Sequence, residues 1–452
     1  MKKKTIQRLR RIGIVFLSLC IIYVLWLVGA SIKLCRVQQA LAADGRPMTI
    51  EAIIPPKVDD ADNAALLYQS AMLRLNAEDA NDTSFSTYEG VNFLMYVGGL
   101  VEKQLEGKLP AEQTIELKQL LSLDCVDQAL ASLIVGTQRP ACRFDVDYES
   151  GLGMSFTHLS HLKKLTYILS GKTLLLAQAG RFEEAWQYAE HLAKLANALR
   201  DEPVLISQIV RFSQLNIATK VMHRLCRYSL PTPDLLARLG QQLAEFEQFM
   251  SMVQSFDSDR LIVGDYGFKQ SRKELRAFLG LVPYKNLKFV VQLYLYSACK
   301  PLRKMDHAHY LHVMHRVAQN AEQPFNQADR SRLDNLVENN PIYYPMSGAL
   351  LPAFGRCWVL KHRTLAQLRI TYLGFRILQY YQTHEAYPET LDALGGDVPN
   401  DPFTDAPLKY RADTKGFILY SVAEDQEDDG GKPKGKRREN YDIVWNMSSV
   451  DR

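Results

Sequence analysis

Four of the chain's ten histidines, His307, His309, His312 and His315, fall within nine residues. On a helix, 309 and 312, and 312 and 315, lie on neighbouring parts of one face. Imidazoles so placed can bind zinc or copper. A metal-dependent hydrolase is therefore one expectation, and it requires His309, His312 and His315 to converge with an acid; Asp306 stands beside the run. The opposing expectation is a polar helix face with ring stacking against Tyr310. Ser170-Gly171-Lys172-Thr173 ends like a phosphate loop, but Thr166 occupies the place of the required first glycine. Ser160-His161-Leu162-Lys163 has the S-x-x-K spacing of some acyl-transfer enzymes without their partner motifs. Asp257-Ser258-Asp259 with Asp265 reads as a polar helix start in preference to a metal loop. Arg238, Lys269, Arg272, Lys273 and Arg276 scatter basic charge without stacking aromatics, as a solvated face does. None of these sets amounts to a catalytic constellation, and no enzyme activity is expected.

The elements that would position such groups are bounded by the whole chain. Its 452 residues allow two or three domains, and its 47% hydrophobic and 23% charged residues are ordinary for a folded protein. A net charge of +4 is small for this length, and no nucleic-acid recognition motif is present. Seven cysteines are scattered without a C-x-x-C pair, which argues against a zinc ribbon or a dense disulfide framework. Buried free thiols are the expectation, with Cys125 to Cys142 the one bridge considered.

Residues 1–11 carry six cations, and Ile12 to Ile32 then runs 21 residues without a charge. At 1.5 Å per residue that run can cross a hydrocarbon core of about 30 Å. The flank beyond holds only Lys33 and Arg36, so the positive-inside rule places the N-terminus in the cytoplasm and the bulk of the chain outside, on the periplasmic side. The run exceeds a signal-peptide core, and no second run of its length follows. A linker is expected over 33–59, where Pro47, Pro55 and Pro56 deny a helix.

From 60 to 345 the pattern is α-helical. Helices are expected over about 64–75, 91–105, 111–135, 156–179, 182–199, 204–228, 233–255, 270–279, 286–298, 305–320 and 327–337. Residues 176–185, Leu-Ala-Gln-Ala-Gly-Arg-Phe-Glu-Glu-Ala, resemble the turn of a tetratricopeptide repeat. A repeat array needs several such units, so a peptide-binding helical-repeat adaptor rests on one turn. A further unit is expected over 352–452. It opens with a long helix to about Thr383, in which Phe354, Trp358, Leu365, Leu368, Tyr372, Phe375 and Leu378 make one apolar stripe with the arginines off it. Short strands are expected at 408–411, 417–422 and 443–445.

The order of motifs here is a long helix, Tyr387-Pro388, Leu391 with Leu394, Asp401-Pro402-Phe403, Pro407-Leu408-Lys409-Tyr410, Phe417 to Ser421, an acidic loop and Asp442-Ile443. Over about 365–446 it resembles the globular domain of the type II secretion major pseudopilin. The resemblance implies a helix on a small antiparallel sheet. It also implies a calcium ion, for which Ser421, Asp425 and Asp442 match the oxygen-bearing positions. Arg11 to Phe16 lacks the family's Thr-Leu-x-Glu, so processing and polymerisation as a pilus subunit are not expected. The chain thus reads as a mainly α, single-pass membrane protein with an α-helical domain and a pseudopilin-like α+β end. Its expected role is that of a non-catalytic envelope protein with protein partners, linked to a secretion or pilus-like assembly.

Overall fold

Helix α1 runs without a break from Lys2 to Ala43. The computed structural model describes residues 2–81, 93–270, 296–329, 335, 339–341, 343–351, 354–433 and 441–447. The helices expected over 270–279, 286–298 and 327–337 lie largely outside those residues. Residues 6–26 of α1 are exposed throughout, and the helix is long and apolar enough to cross a membrane. The linker expected over 33–59 is corrected: the helix continues eleven residues past Ile32. No proline or glycine stands between Ile32 and Gly45, and Leu34, Val37 and Leu41 repeat on one face and pack into the core. Gly45, at φ 70°, and Pro47 then end it.

The helical domain is a stack of packed helices. Helices α2 (Ala64–Asn81), α3 (Phe93–Leu105), α4 (Ala111–Leu120) and α5 (Asp124–Gly136) precede α6 (Thr157–Gln178), α7 (Phe182–Ala196), α8 (Leu205–Tyr228) and α9 (Pro233–Gln248). The single helix expected over 111–135 is two, bent by 70° at residues 121–123. At the repeat-like turn between α6 and α7, Gly180 takes φ 77°, the left-handed conformation its position demands. Thr232 caps α9 by accepting from Leu235 N, with Pro233 in the first turn. The helix expected to reach Ser255 stops at Gln248 and resumes as α10 (Val253–Asp259). A π-helical turn over Arg260–Asp265 follows, then α11 (Tyr266–Lys269). Helix α12 (Lys300–Ala321) lies beside α1, and α13 (Pro345–Leu350) follows it.

The last helix, α14 (Phe354–His384), carries the three-stranded antiparallel sheet β1 (Lys409–Asp413), β2 (Gly416–Ser421) and β3 (Ile443–Asn446), in the order β1-β2-β3. Leu419 stands opposite both Tyr410 and Trp445. Asp413 Oδ1 closes the β1–β2 turn by accepting from Lys415 N at 2.7 Å and Gly416 N at 3.0 Å. The expectation of one apolar stripe on α14 is corrected. Leu365, Leu368, Ile370, Leu373, Phe375, Ile377 and Leu378 are all buried, because α14 is sandwiched between α8 and α9 on one side and β2 and β3 on the other. Its arginines leave the apolar faces sideways: Arg369 pairs with Glu247 of α9 at 2.6 Å, and Arg376 donates to the carbonyls of Leu394, Gly395 and Asp397. One continuous hydrophobic core therefore runs from Leu41 of α1 to Trp445 of β3. The boundary expected near 345–352 does not divide it.

Candidate functional site

The histidine run forms part of α12, and its rings face different surroundings. His307 Nε2 lies 2.7 Å from Asp265 Oδ1, with its ring stacked on Phe268 at 4.4 Å. His309 tilts against Tyr344 at 5.1 Å. His315 Nε2 lies 2.6 Å from Asp44 Oδ2, which also accepts from Gln319 at 2.9 Å. These bonds hold the Asp44 carboxyl below its usual range. Burial lowers the pKa of His309 and of His312. The neighbouring Asp306 turns away from the run. Its carboxylate accepts from Tyr296 Oη at 2.7 Å and from the backbone N–H of Met346 and Ser347 at 3.1 Å, at the start of α13. Among the described residues, no three carboxylate, imidazole or thiol groups gather as a metal site. The histidine helix is a docking face: His315 and Gln319 clamp the end of α1, and Arg46 adds an ion pair to Glu322 at 2.6 Å.

The C-terminal acidic loop places the three residues expected to bind calcium in different surroundings. Ser421 Oγ is fully buried and donates to Asp401 Oδ1 at 2.9 Å. Asp401 also accepts from Val422 N at 3.0 Å and Phe403 N at 3.0 Å, so it ties the Asp-Pro-Phe turn to the end of β2. Asp425 is exposed, and its Oδ1 accepts from Glu427 N at 3.2 Å within its own turn. Asp442 is 2% exposed. Its Oδ2 accepts from Gly431 N at 2.7 Å, whereas its Oδ1 finds no hydrogen-bond partner among the described residues. Asp429 Oδ2 is likewise buried and unpartnered. Burial raises the Asp442 carboxyl, and the Asp429 charge adds to the rise. The loop's basic residues 434–438 fall outside the described residues. Sequence reading did not single out Asp429 or the bracing role of Asp401.

A third arrangement had no motif to announce it. A cavity of about 650 Å³ opens between the extended Ile53–Val58 segment, Cys142–Phe144 and the α7–α8 turn. Arg143 Nε donates to Pro55 O at 3.2 Å, and the Arg200 guanidinium lies 4.7 Å from the Phe249 ring centre while bonding Asp201. Behind its wall residue Glu202, His158 Nε2 lies 3.0 Å from both carboxylate oxygens. Ser207 Oγ donates to Glu202 Oε1 at 2.5 Å. His158 and Glu202 are both buried, and both carboxylate oxygens are taken, so the cluster braces the α7–α8 turn. All seven cysteines are free, and burial pushes the Cys142 thiol up, away from the reactive thiolate.

Asp259 lies between these arrangements. Its Oδ1 accepts from Leu205 N at 3.2 Å, and burial pushes its carboxyl up to about 7. A carboxyl raised in the folded state binds its proton more tightly there than in the unfolded chain. Its penalty is therefore absent below about pH 4 and grows as the pH rises towards 7. Asp259→Asn keeps the acceptor for Leu205 and removes the charge. The variant is expected to melt higher than the parent at pH 8, with the gap closing as the pH falls to 5. A gap independent of pH would mean that Asp259 does not titrate in this window.

Comparison of the chain with family models, with curated proteins and with solved structures finds no match.

Proposed function

We propose that this chain is a membrane-anchored protein of the cell envelope, with its N-terminus in the cytoplasm and its helical and C-terminal parts on the outer side. It works through protein contacts, as a component linked to a secretion or pilus-like assembly, and its end is of the pseudopilin kind. The observation that carries this reading is α1. A bare apolar stretch enters the domain as one helix and is fixed there by Asp44–His315 and Arg46–Glu322. An anchor joined without a flexible linker holds the outer domain in a set orientation to the membrane, as an assembly component needs and a freely diffusing enzyme does not. A helix carrying a three-stranded antiparallel sheet with an acidic loop after the hairpin supports the pseudopilin-like part. The hydrolase alternative requires His309, His312 and His315 to converge with an acid, whereas His315 bonds Asp44, His309 leans on Tyr344, and no three metal-ligating groups gather among the described residues.

Calcium belongs to this reading. Two buried carboxylate oxygens without partners among the described residues, Asp429 Oδ2 and Asp442 Oδ1, are the chemistry a hard cation satisfies, with backbone carbonyls and water completing six to eight oxygens. Calcium is expected to raise the melting temperature of the full chain, since a ligand of the folded state alone adds about 2.7 kcal/mol at 100 times its Kd. Asp442→Asn and Asp429→Asn should each abolish the rise. Asp425→Asn decides between the set read from sequence and the set read from geometry, and it should leave the response in place. A chain indifferent to calcium would reduce the likeness to one of scaffold.

A further inference from the structure

The ties between α1 and α12 fix how deep the folded domain sits. Trp26 Nε1 meets Met305 Sδ at 3.2 Å, Lys304 Nζ donates to Ser31 Oγ at 2.8 Å, Asp44 meets His315, and Arg46 meets Glu322. Trp26 and Ser31 meet the start of α12, at Met305 and Lys304, and Asp44 and Arg46 meet its end, at His315 and Glu322. The helices are therefore parallel, and their offset stays between 271 and 279 residues. That offset sets Lys300, the first residue of α12, level with residues 21–29 of α1. Burial on α1 begins at the same height: Leu27 is half-buried and Ala30 is 2% exposed.

The bare helix is too short to keep the domain clear of lipid. From Ile12 to Trp26 it spans about 22 Å at 1.5 Å per residue, against a hydrocarbon core of about 30 Å. Even counted from Lys2 it reaches only about 37 Å, less than the roughly 40–45 Å through both headgroup layers, and any tilt shortens its reach further. We infer that the α12 end of the domain reaches down to the outer hydrocarbon–headgroup boundary, from which the long side chains of Lys33, Arg36 and Lys300 reach the phosphates of anionic phospholipids. The side chains at that end suit the place. Lys33, Arg36 and Lys300 are exposed, and Leu302 is half-buried between them and the core. Long cationic side chains reach phosphate while their stems lie along apolar surface. The inference rests on α1 being the anchor.

The test uses the wild-type chain in vesicles of anionic phospholipid. Flotation after an alkaline wash reads the anchor, and acylation of lysines by a water-soluble reagent, read by peptide mass spectrometry, reads depth. The expected result is that the chain floats and that Lys300 and Lys33 label several-fold more slowly than in detergent, while the exposed Lys415 does not change. If the chain floats and Lys300 keeps pace with Lys415, the anchor stands and the inference falls. If the chain does not float, both fall. Equal protection in zwitterionic and anionic vesicles would overturn the assignment to anionic headgroups.

Discussion

Gly374→Ala is expected to destabilise the chain by about 2 kcal/mol or more, although it replaces the poorer helix former with the better one in the middle of α14. Helix propensity alone favours alanine by about 1 kcal/mol. Packing reverses the sign. A Cβ at 374 would lie 1.9 Å from Trp445 Cζ3 and 2.2 Å from Cε3, well inside van der Waals contact. The indole cannot retreat. Its face is stacked on His223 at 4.0 Å, its edges meet Phe417 at 5.6 Å and Phe375 at 5.9 Å, and Trp445 as a whole is 2% exposed. Overpacking of this kind typically costs 1–3 kcal/mol and can exceed it. Denaturant melts of the full chain measure the loss. Combining Gly374→Ala with Trp445→Leu should cost less than the two single losses added together, because the smaller side chain clears the Cβ. A single variant that melts at or above the parent would show that β3 does not press on α14 as closely as these distances say.

That contact also marks where the sequence stops being readable. The limits of α8 and of the three strands follow from periodicity and turn residues, and they agree with the structure to within two residues. Local pattern decides such elements. The extension of α1 past Ile32 does not show locally, because Lys33 and Arg36 look like the polar edge of a span; only the stripe Leu34, Val37 and Leu41, matched to α12, makes it a helix. Nor does the double burial of α14, since its arginines mark one face as wet when in fact they bridge to Glu247 and to the 394–397 carbonyls. The histidines of α12 announced chemistry by type and spacing. What they bind is set by Asp265 and Asp44, both far away in sequence. The acidity of the C-terminal loop is plain in the sequence, but which of its oxygens stay unpartnered among the described residues is not, because that depends on how the loop folds against Asp442.

The second large effect is expected at Arg211, a residue with no motif around it. It sits in the second turn of α8, between Val210 and Phe212, and is fully buried. Its guanidinium donates to Asn197 Oδ1 at 2.8 Å, to Phe249 O at 2.7 Å, to Gln208 Oε1 at 3.2 Å and to Phe246 O at 3.3 Å. None of these acceptors is a carboxylate, and burial pushes the group down to about 10, which still leaves it charged at neutral pH. Two opposing costs decide the outcome of Arg211→Met. Removing a buried cation relieves its desolvation, and replacing all members of a buried polar set with apolar groups can even stabilise a protein. Here only the donor goes. The carbonyls of Phe246 and Phe249, in the last turn and at the cap of α9, would lose the cation that satisfies them at a helix C-terminus. Unsatisfied buried acceptors cost about 1–3 kcal/mol each, so a loss of at least about 3 kcal/mol is expected. Arg211→Lys keeps the charge but not the fork, and should fall between the two. Gln208 and Phe249 both line the cavity beside Glu202, so the same substitution should raise hydrogen exchange at the end of α9 and at the α7–α8 turn ahead of global unfolding. If Arg211→Met matches the parent in denaturant and in exchange, desolvation outweighs the four bonds, and the cavity floor is held by packing alone.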